Sequence, residues 1–164
     1  MPTDSTTDPA QKVAELLKGQ RFGMLTTRDP FGTLMSRPMA LQEVEFDGDL
    51  WFFAERGSRK VLHVGASPQV NVTVSGSGSW VSLTGEASVV EDVAKKRELW
   101  NAGAEAWLPQ GPDDDSVVLI RVEGHSAEYW DTPGRVATAL SFAKAKLTGE
   151  RFSGGENERV DLDG

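Results

Sequence analysis

Residues 69–90 read QVNVTVSGSGSWVSLTGEASVV, and this stretch decides the fold. Val70, Val72 and Val74 alternate with Gln69, Asn71 and Thr73, the period of two expected of a strand with one buried face. Ser75-Gly76-Ser77-Gly78-Ser79 is too short to separate domains and reads as a turn. The run from Trp80 to Val90 follows as a second long strand, with Gly85 marking a bulge or bend. Two strands joined so tightly pair antiparallel, because a parallel pair needs a crossover of a dozen residues or more.

The pattern extends in both directions. Upstream, Phe22 to Thr27 reads as a strand, Asp29-Pro30-Phe31-Gly32 as a turn, and Thr33 to Leu41 as the returning strand. Val44 to Phe46, the Asp47-Gly48 turn and Leu50 to Ala54 carry a hairpin signal. Asp8-Pro9 supplies an N-cap and first-turn proline for a helix running to about Lys18, with Val13, Leu16 and Leu17 as its buried stripe. Downstream, Asp92 caps a helix expected to reach about Ala102, and 103–116 reads as an irregular exposed loop. Val117 to Val122 and Ser126 to Trp130 read as two final strands, followed by a helix from about Val136 to Leu147. Strands outnumber helices and lack regular helical crossovers. The expectation is a mainly β chain: an antiparallel β-barrel with peripheral helices. Residues 1–8 read as a flexible lead, 9–149 as one domain, and 150–164 as a polar tail lying on the surface.

Composition narrows the function. With 17 basic against 25 acidic residues the net charge is −8, which argues against nucleic acid or an acidic membrane as the main partner. The absence of cysteine excludes disulfide frameworks, thiolate nucleophiles and iron–sulfur clusters. The N-terminus lacks the basic and apolar regions of a signal peptide, so a cytoplasmic location is expected. There is no Gly-x-Ser-x-Gly elbow, no Walker loop and no Gly-x-Gly-x-x-Gly after a strand. His63 and His125 lie far apart, without metal-ligand spacing; His63 is expected to pack or cap near its helix. Asp113-Asp114-Asp115 reads as a solvated loop.

Against this acidic background Gly57-Ser58-Arg59-Lys60 stands out. It follows the aromatic run Leu50-Trp51-Phe52-Phe53-Ala54 and opens a short helix. Two cations at a helix start oppose the macrodipole, a placement that makes electrostatic sense if an anion sits there. Backbone N–H groups, the Ser58 hydroxyl and two basic heads would then converge on a phosphate. The alternative is a Ser-capped helix whose Arg59 and Lys60 point to water. Ser36-Arg37-Pro38-Met39 interrupts a strand pattern, and Pro38 there implies an edge or a bulge. Arg37 is a second anion candidate, or else an ordinary exposed arginine. Trp51, Trp80, Trp100, Trp107 and Trp130 can stack on a ring or serve as core. The residues alone support a phosphate-bearing aromatic ligand.

Arg37, Phe53-Ala54, Gly57-Ser58-Arg59-Lys60 and Pro68-Gln69-Val70, in that order, resemble the pyridoxamine 5′-phosphate oxidase-like split-barrel flavoproteins. Glu128 to Gly134 and the tail from Gly155 to Leu162 resemble the general stress protein 26 group within them. The resemblance implies a six-stranded antiparallel split β-barrel and a homodimer with FMN at its interface. It implies that Arg37, Ser58, Arg59 and Lys60 hold the phosphate. It also implies that Arg37-Pro38-Met39 and Phe53-Ala54 border the ring and ribityl chain, that Trp80 reaches the ring, and that Trp130 covers the flavin from the partner subunit. Related barrels take the deazaflavin F420 or haem; F420 is the alternative cofactor, and haem lacks an evident axial histidine. Authentic pyridoxamine phosphate oxidases carry a lysine where this chain has Gln42, and end in an Arg-Leu-His-Asp-Arg type segment that it lacks. Pyridoxal phosphate synthesis is therefore not expected. The reading is an FMN-binding redox enzyme of unknown substrate, with a non-enzymatic flavin-buffering protein or a ligand-free scaffold as rivals.

Overall fold

A computed structural model of the chain describes residues 8–132, 134–151 and 155–163. Helix α1 (Pro9–Leu17) starts where Asp8 accepts a hydrogen bond from the Ala10 amide, and buries Val13 and Leu17. Strands β1 (Phe22–Arg28) and β2 (Leu34–Ala40) form a hairpin around Asp29, whose carboxylate accepts from the Phe31 and Thr33 amides. Strand β3 (Asp49–Glu55) and helix α2 (Arg59–Ala66) follow, then β4 (Gln69–Ser75) and β5 (Ser79–Val90). Helices α3 (Val93–Leu99) and α4 (Ala102–Trp107) precede the long strand β6 (Val117–Asp131), helix α5 (Arg135–Thr148) and strand β7 (Glu156–Asp161).

All pairings are antiparallel, and the strand order is β2-β1-β4-β5-β6-β3, with β7 also on β6. The two ends of this path, β2 and β3, come close without pairing, so the barrel is split between them. The inward faces meet in one core that includes Leu25, Phe52, Val72, Leu83 and Ile120. The expected six-stranded split barrel is present, and the tail adds a seventh strand.

Three local expectations need correction. Val44 to Phe46 is not a strand, and β3 pairs instead with Val117–Glu123 of β6. A seven-residue ladder with both inner faces apolar outweighs a three-residue local hairpin. The helix expected to run to Ala102 ends at Leu99. Asn101 then recaps the chain by accepting from the Ala104 amide, so α4 occupies the start of the expected loop. The two final strands are one, because the register shift opposite Thr84 and Gly85 absorbs His125 without ending the ladder. The polar tail does lie on the surface, and there it pairs as β7 along Ser126–Asp131 and buries Val160.

Candidate functional site

The split presents two free strand edges, β2 on one side and β3 on the other. Pro38 lies on the β2 edge and is exposed, the position open to a residue without an N–H. Alternation along β2 turns Met35, Arg37 and Met39 inward and Pro38 outward. Along β3, Ala54 points into the core while Phe53 points away and meets Trp100 edge-on, ring centroids 5.1 Å apart. Phe53 and Ala54 cannot both turn side chains to one ligand; what they share toward the split is backbone.

Strand β3 leads through Gly57 into α2, which begins at Arg59. Ser58 occupies the N-cap, yet its hydroxyl donates to the Glu55 carbonyl at 2.7 Å and caps no helix amide. The first-turn amides of α2 are therefore left without a side-chain partner. Arg37 donates to the Thr27 hydroxyl at 2.7 Å and to the Leu25 carbonyl at 3.3 Å. Partial burial, then the nearby charge of Arg59, pulls the Arg37 guanidinium below its ordinary value. Partial burial, then Arg37, does the same to the Lys60 ammonium, against a weaker pull from Glu55. Among the described residues, no carboxylate stands within ion-pair distance of Arg37, Arg59 or Lys60. Arg37 thus feels the charges of Arg59 and Lys60; Arg59 is exposed, and Glu55 offsets the repulsion at Lys60 only in part. An anion relieves that arrangement.

Trp80 and Trp130 are not part of this cluster. They stand directly opposite each other on β5 and β6, on the outward face, 42% and 39% exposed. Trp80 is three strands from Arg37, about 14 Å at the usual interstrand spacing. It lies toward the other end of the sheet. Trp107 is 79% exposed on α4, and Trp51 lies under Lys95, 4.9 Å from the ring centroid. Gln42 accepts from Asn101 at 2.7 Å, fastening α4 beside the exit of β2.

Thr27 went unnoticed in the sequence. It is fully buried, and its hydroxyl meets both Arg37 and the Nδ1 of His63, the latter at 3.0 Å. The available signal was a hydroxyl in the buried phase of β1, after Gly23 and Leu25. His63 packs as expected but caps nothing through its side chain; its ring joins α2 to β1.

The fold is a split antiparallel barrel, with Arg37, Arg59 and Lys60 drawn from the two sides of the split. The chain belongs to the pyridoxamine 5′-phosphate oxidase-like family, whose profile matches residues 8–153. It is similar to Protein bli-3 of Neurospora crassa, 33% identical over 156 residues, covering 85% of this chain and 75% of that protein. Among solved structures it is similar to a protein assigned as general stress protein 26 from Jannaschia sp. CCS1. That likeness has a TM-score of 0.75 and 29% identity, and covers 92% of this chain and 96% of the other. It also resembles a pyridoxamine 5′-phosphate oxidase-related, FMN-binding protein of Nostoc punctiforme (TM-score 0.59, 16% identity, 77% and 82% covered), a likeness of fold alone.

Proposed function

We propose that this chain binds FMN in the split between β2 and β3 and acts as a flavin-dependent oxidoreductase. The observation that carries the reading is the cluster of Arg37, Arg59 and Lys60, with no carboxylate in ion-pair contact among the described residues. Arg59 and Lys60, with the free first-turn amides of α2, would hold the phosphate, and Arg37 would reach it from β2. Ser58 would contribute once its hydroxyl turns from the Glu55 carbonyl. The free edges at Arg37-Pro38-Met39 and Phe53-Ala54 would border the ribityl chain and ring with backbone donors and acceptors. When bound, the flavin supplies the redox chemistry. The chain's part is to fix and desolvate it, and no side chain is assigned as an acid or base.

The homodimer belongs to the same proposal. The exposed face carrying Trp80 and Trp130 would meet a second copy and cover the ring from outside. Gln42 in place of a lysine weighs against pyridoxal phosphate synthesis, and F420 is the alternative cofactor. The test is an absorption spectrum after FMN loading and desalting, in the wild type and in Arg59→Ala/Lys60→Ala. The wild type should retain about one flavin per chain. The double variant should bind at least about 100-fold more weakly, since each charge-assisted contact is worth about 1.5–3 kcal/mol. Equal affinity would remove the phosphate assignment, and tighter binding of F420 than FMN would change the cofactor.

A further inference from the structure

We infer that Thr27 and His63 are positioning residues for the anion site: one buried hydroxyl sets the spacing between Arg37 on β2 and the Arg59-Lys60 turn of α2. The inference rests on the anion-site reading and adds to it how the site is held. The guanidinium of Arg37 only donates, so at 2.7 Å the Thr27 oxygen is its acceptor. The Thr27 hydrogen then needs an acceptor of its own. Among the described residues the only other group recorded at that oxygen is Nδ1 of His63, at 3.0 Å. Nδ1 as that acceptor satisfies the hydroxyl fully and places the proton of the neutral ring on Nε2.

The mechanical consequence follows from sequence spacing. His63 lies four residues after Arg59 and three after Lys60, one helical turn along α2. Holding its ring against Thr27 fixes the rotation of that turn relative to β1. Arg37 sits opposite Leu25 on the neighbouring strand and is held by the same hydroxyl. Arg37 and the α2 cations repel each other. Without a joint between them, α2 and β2 would relax apart and the cations would no longer converge. The contact is buried, with Thr27 at 0% and His63 at 7% exposure, so water does not replace it cheaply.

The experiment compares Thr27→Val, Thr27→Ser, His63→Leu and His63→Asn, using FMN, riboflavin and inorganic phosphate as probes. Valine keeps the shape of threonine and removes the hydroxyl; serine restores it. Asparagine offers an acceptor near the position of Nδ1, and leucine offers none. Thr27→Val and His63→Leu should weaken FMN and phosphate about tenfold, while riboflavin, which lacks the phosphate, changes less than twofold. Thr27→Ser and His63→Asn should recover most of the loss. In ¹⁵N spectra of the ligand-free wild type, His63 should show a protonated Nε2 and an unprotonated, hydrogen-bonded Nδ1. Thr27→Val should shift the Nδ1 signal.

Equal loss of FMN and riboflavin, no loss of either anion, or a protonated Nδ1 on the neutral ring would each overturn the inference. If phosphate binding depends on Thr27 while FMN does not bind at all, the positioning stands and the flavin reading falls.

Discussion

Lys60 carries the proposed phosphate site at the scale of a single residue. Its ammonium is half-buried, lies at the positive end of α2 and faces Arg37, three conditions that disfavour charge. Its folded-state value therefore lies below the ordinary lysine value. Between those two values the unfolded chain binds more protons than the folded one, so the ligand-free protein gains stability as pH rises through that window. Phosphate affinity runs the other way and falls as the ammonium deprotonates. Lys60→Met should abolish both trends, raise the melting temperature of the ligand-free protein by about 1–3 °C, and weaken FMN about ten- to hundredfold. Thermal melts and FMN titrations between pH 7 and the lysine range check this. A lower melting temperature in the variant would mean that the charge is stabilising, and that the site is not strained without its anion. The anomaly at Ser58-Arg59-Lys60 is visible in the sequence because it is local: adjacent cations where the helix field is unfavourable. The Thr27 contacts were not, since Thr27, Arg37 and His63 are brought together only by strand pairing and helix docking.

At the scale of elements, the bulge in the β5–β6 ladder is the most constrained feature. A Cβ on Gly85 would stand 2.0 Å from the Glu123 carbonyl oxygen and 3.1 Å from the Gly124 Cα, both backbone atoms. Gly85→Ala should therefore cost about 3 kcal/mol or more, a fall of about 10 °C in melting temperature, or prevent soluble expression. A variant melting within a degree or two of wild type would show that the ladder can slip at this point. The expected bend at Gly85 was right; that β6 continues across it was not visible, because Gly124-His125 resembles a strand end when read alone. Strand β7 escaped notice for a related reason. Its face is almost wholly polar, and it is held from β6, where the single Tyr129 hydroxyl hydrogen is shared between Glu156 and Glu158, at 2.9 and 3.1 Å. Burial and those two carboxylates push the Tyr129 phenol well above its ordinary value, so it remains a donor throughout the neutral range. Lys12 of α1 closes the same corner on Asp131 at 2.7 Å.

For the whole molecule, the outward sheet face sets the next question. Phe22 and Met24 of β1, Leu34 of β2, Trp80 and Trp130 are exposed there, beside a polar ladder in which Asn71 donates to Ser82 and Thr84. On the proposed dimer this face is covered. Trp130→Glu should shift the protein from dimer to monomer in light scattering and release FMN with it, while leaving the circular dichroism unchanged. A dimer that survives the substitution would place the interface elsewhere. The barrel's class was legible at this scale because the alternating valines of 69–74 and the short turn after them admit only an antiparallel neighbour. The pairing of β3 was not: alternation tells a strand which face to bury and leaves its partner open.

The sequence by itself determined the period of each strand, the helix that opens at Arg59, the acidic background and the basic tetrad set against it. These depend on residues within a turn or two of each other, where propensity and charge act directly. Tertiary structure alone decided that β3 lies beside β6, that the tail becomes a strand, and that a buried threonine joins Arg37 to the helix carrying Lys60. Those choices are made by burial and hydrogen bonding between segments tens of residues apart, where many pairings satisfy the local pattern and only one fills the common core.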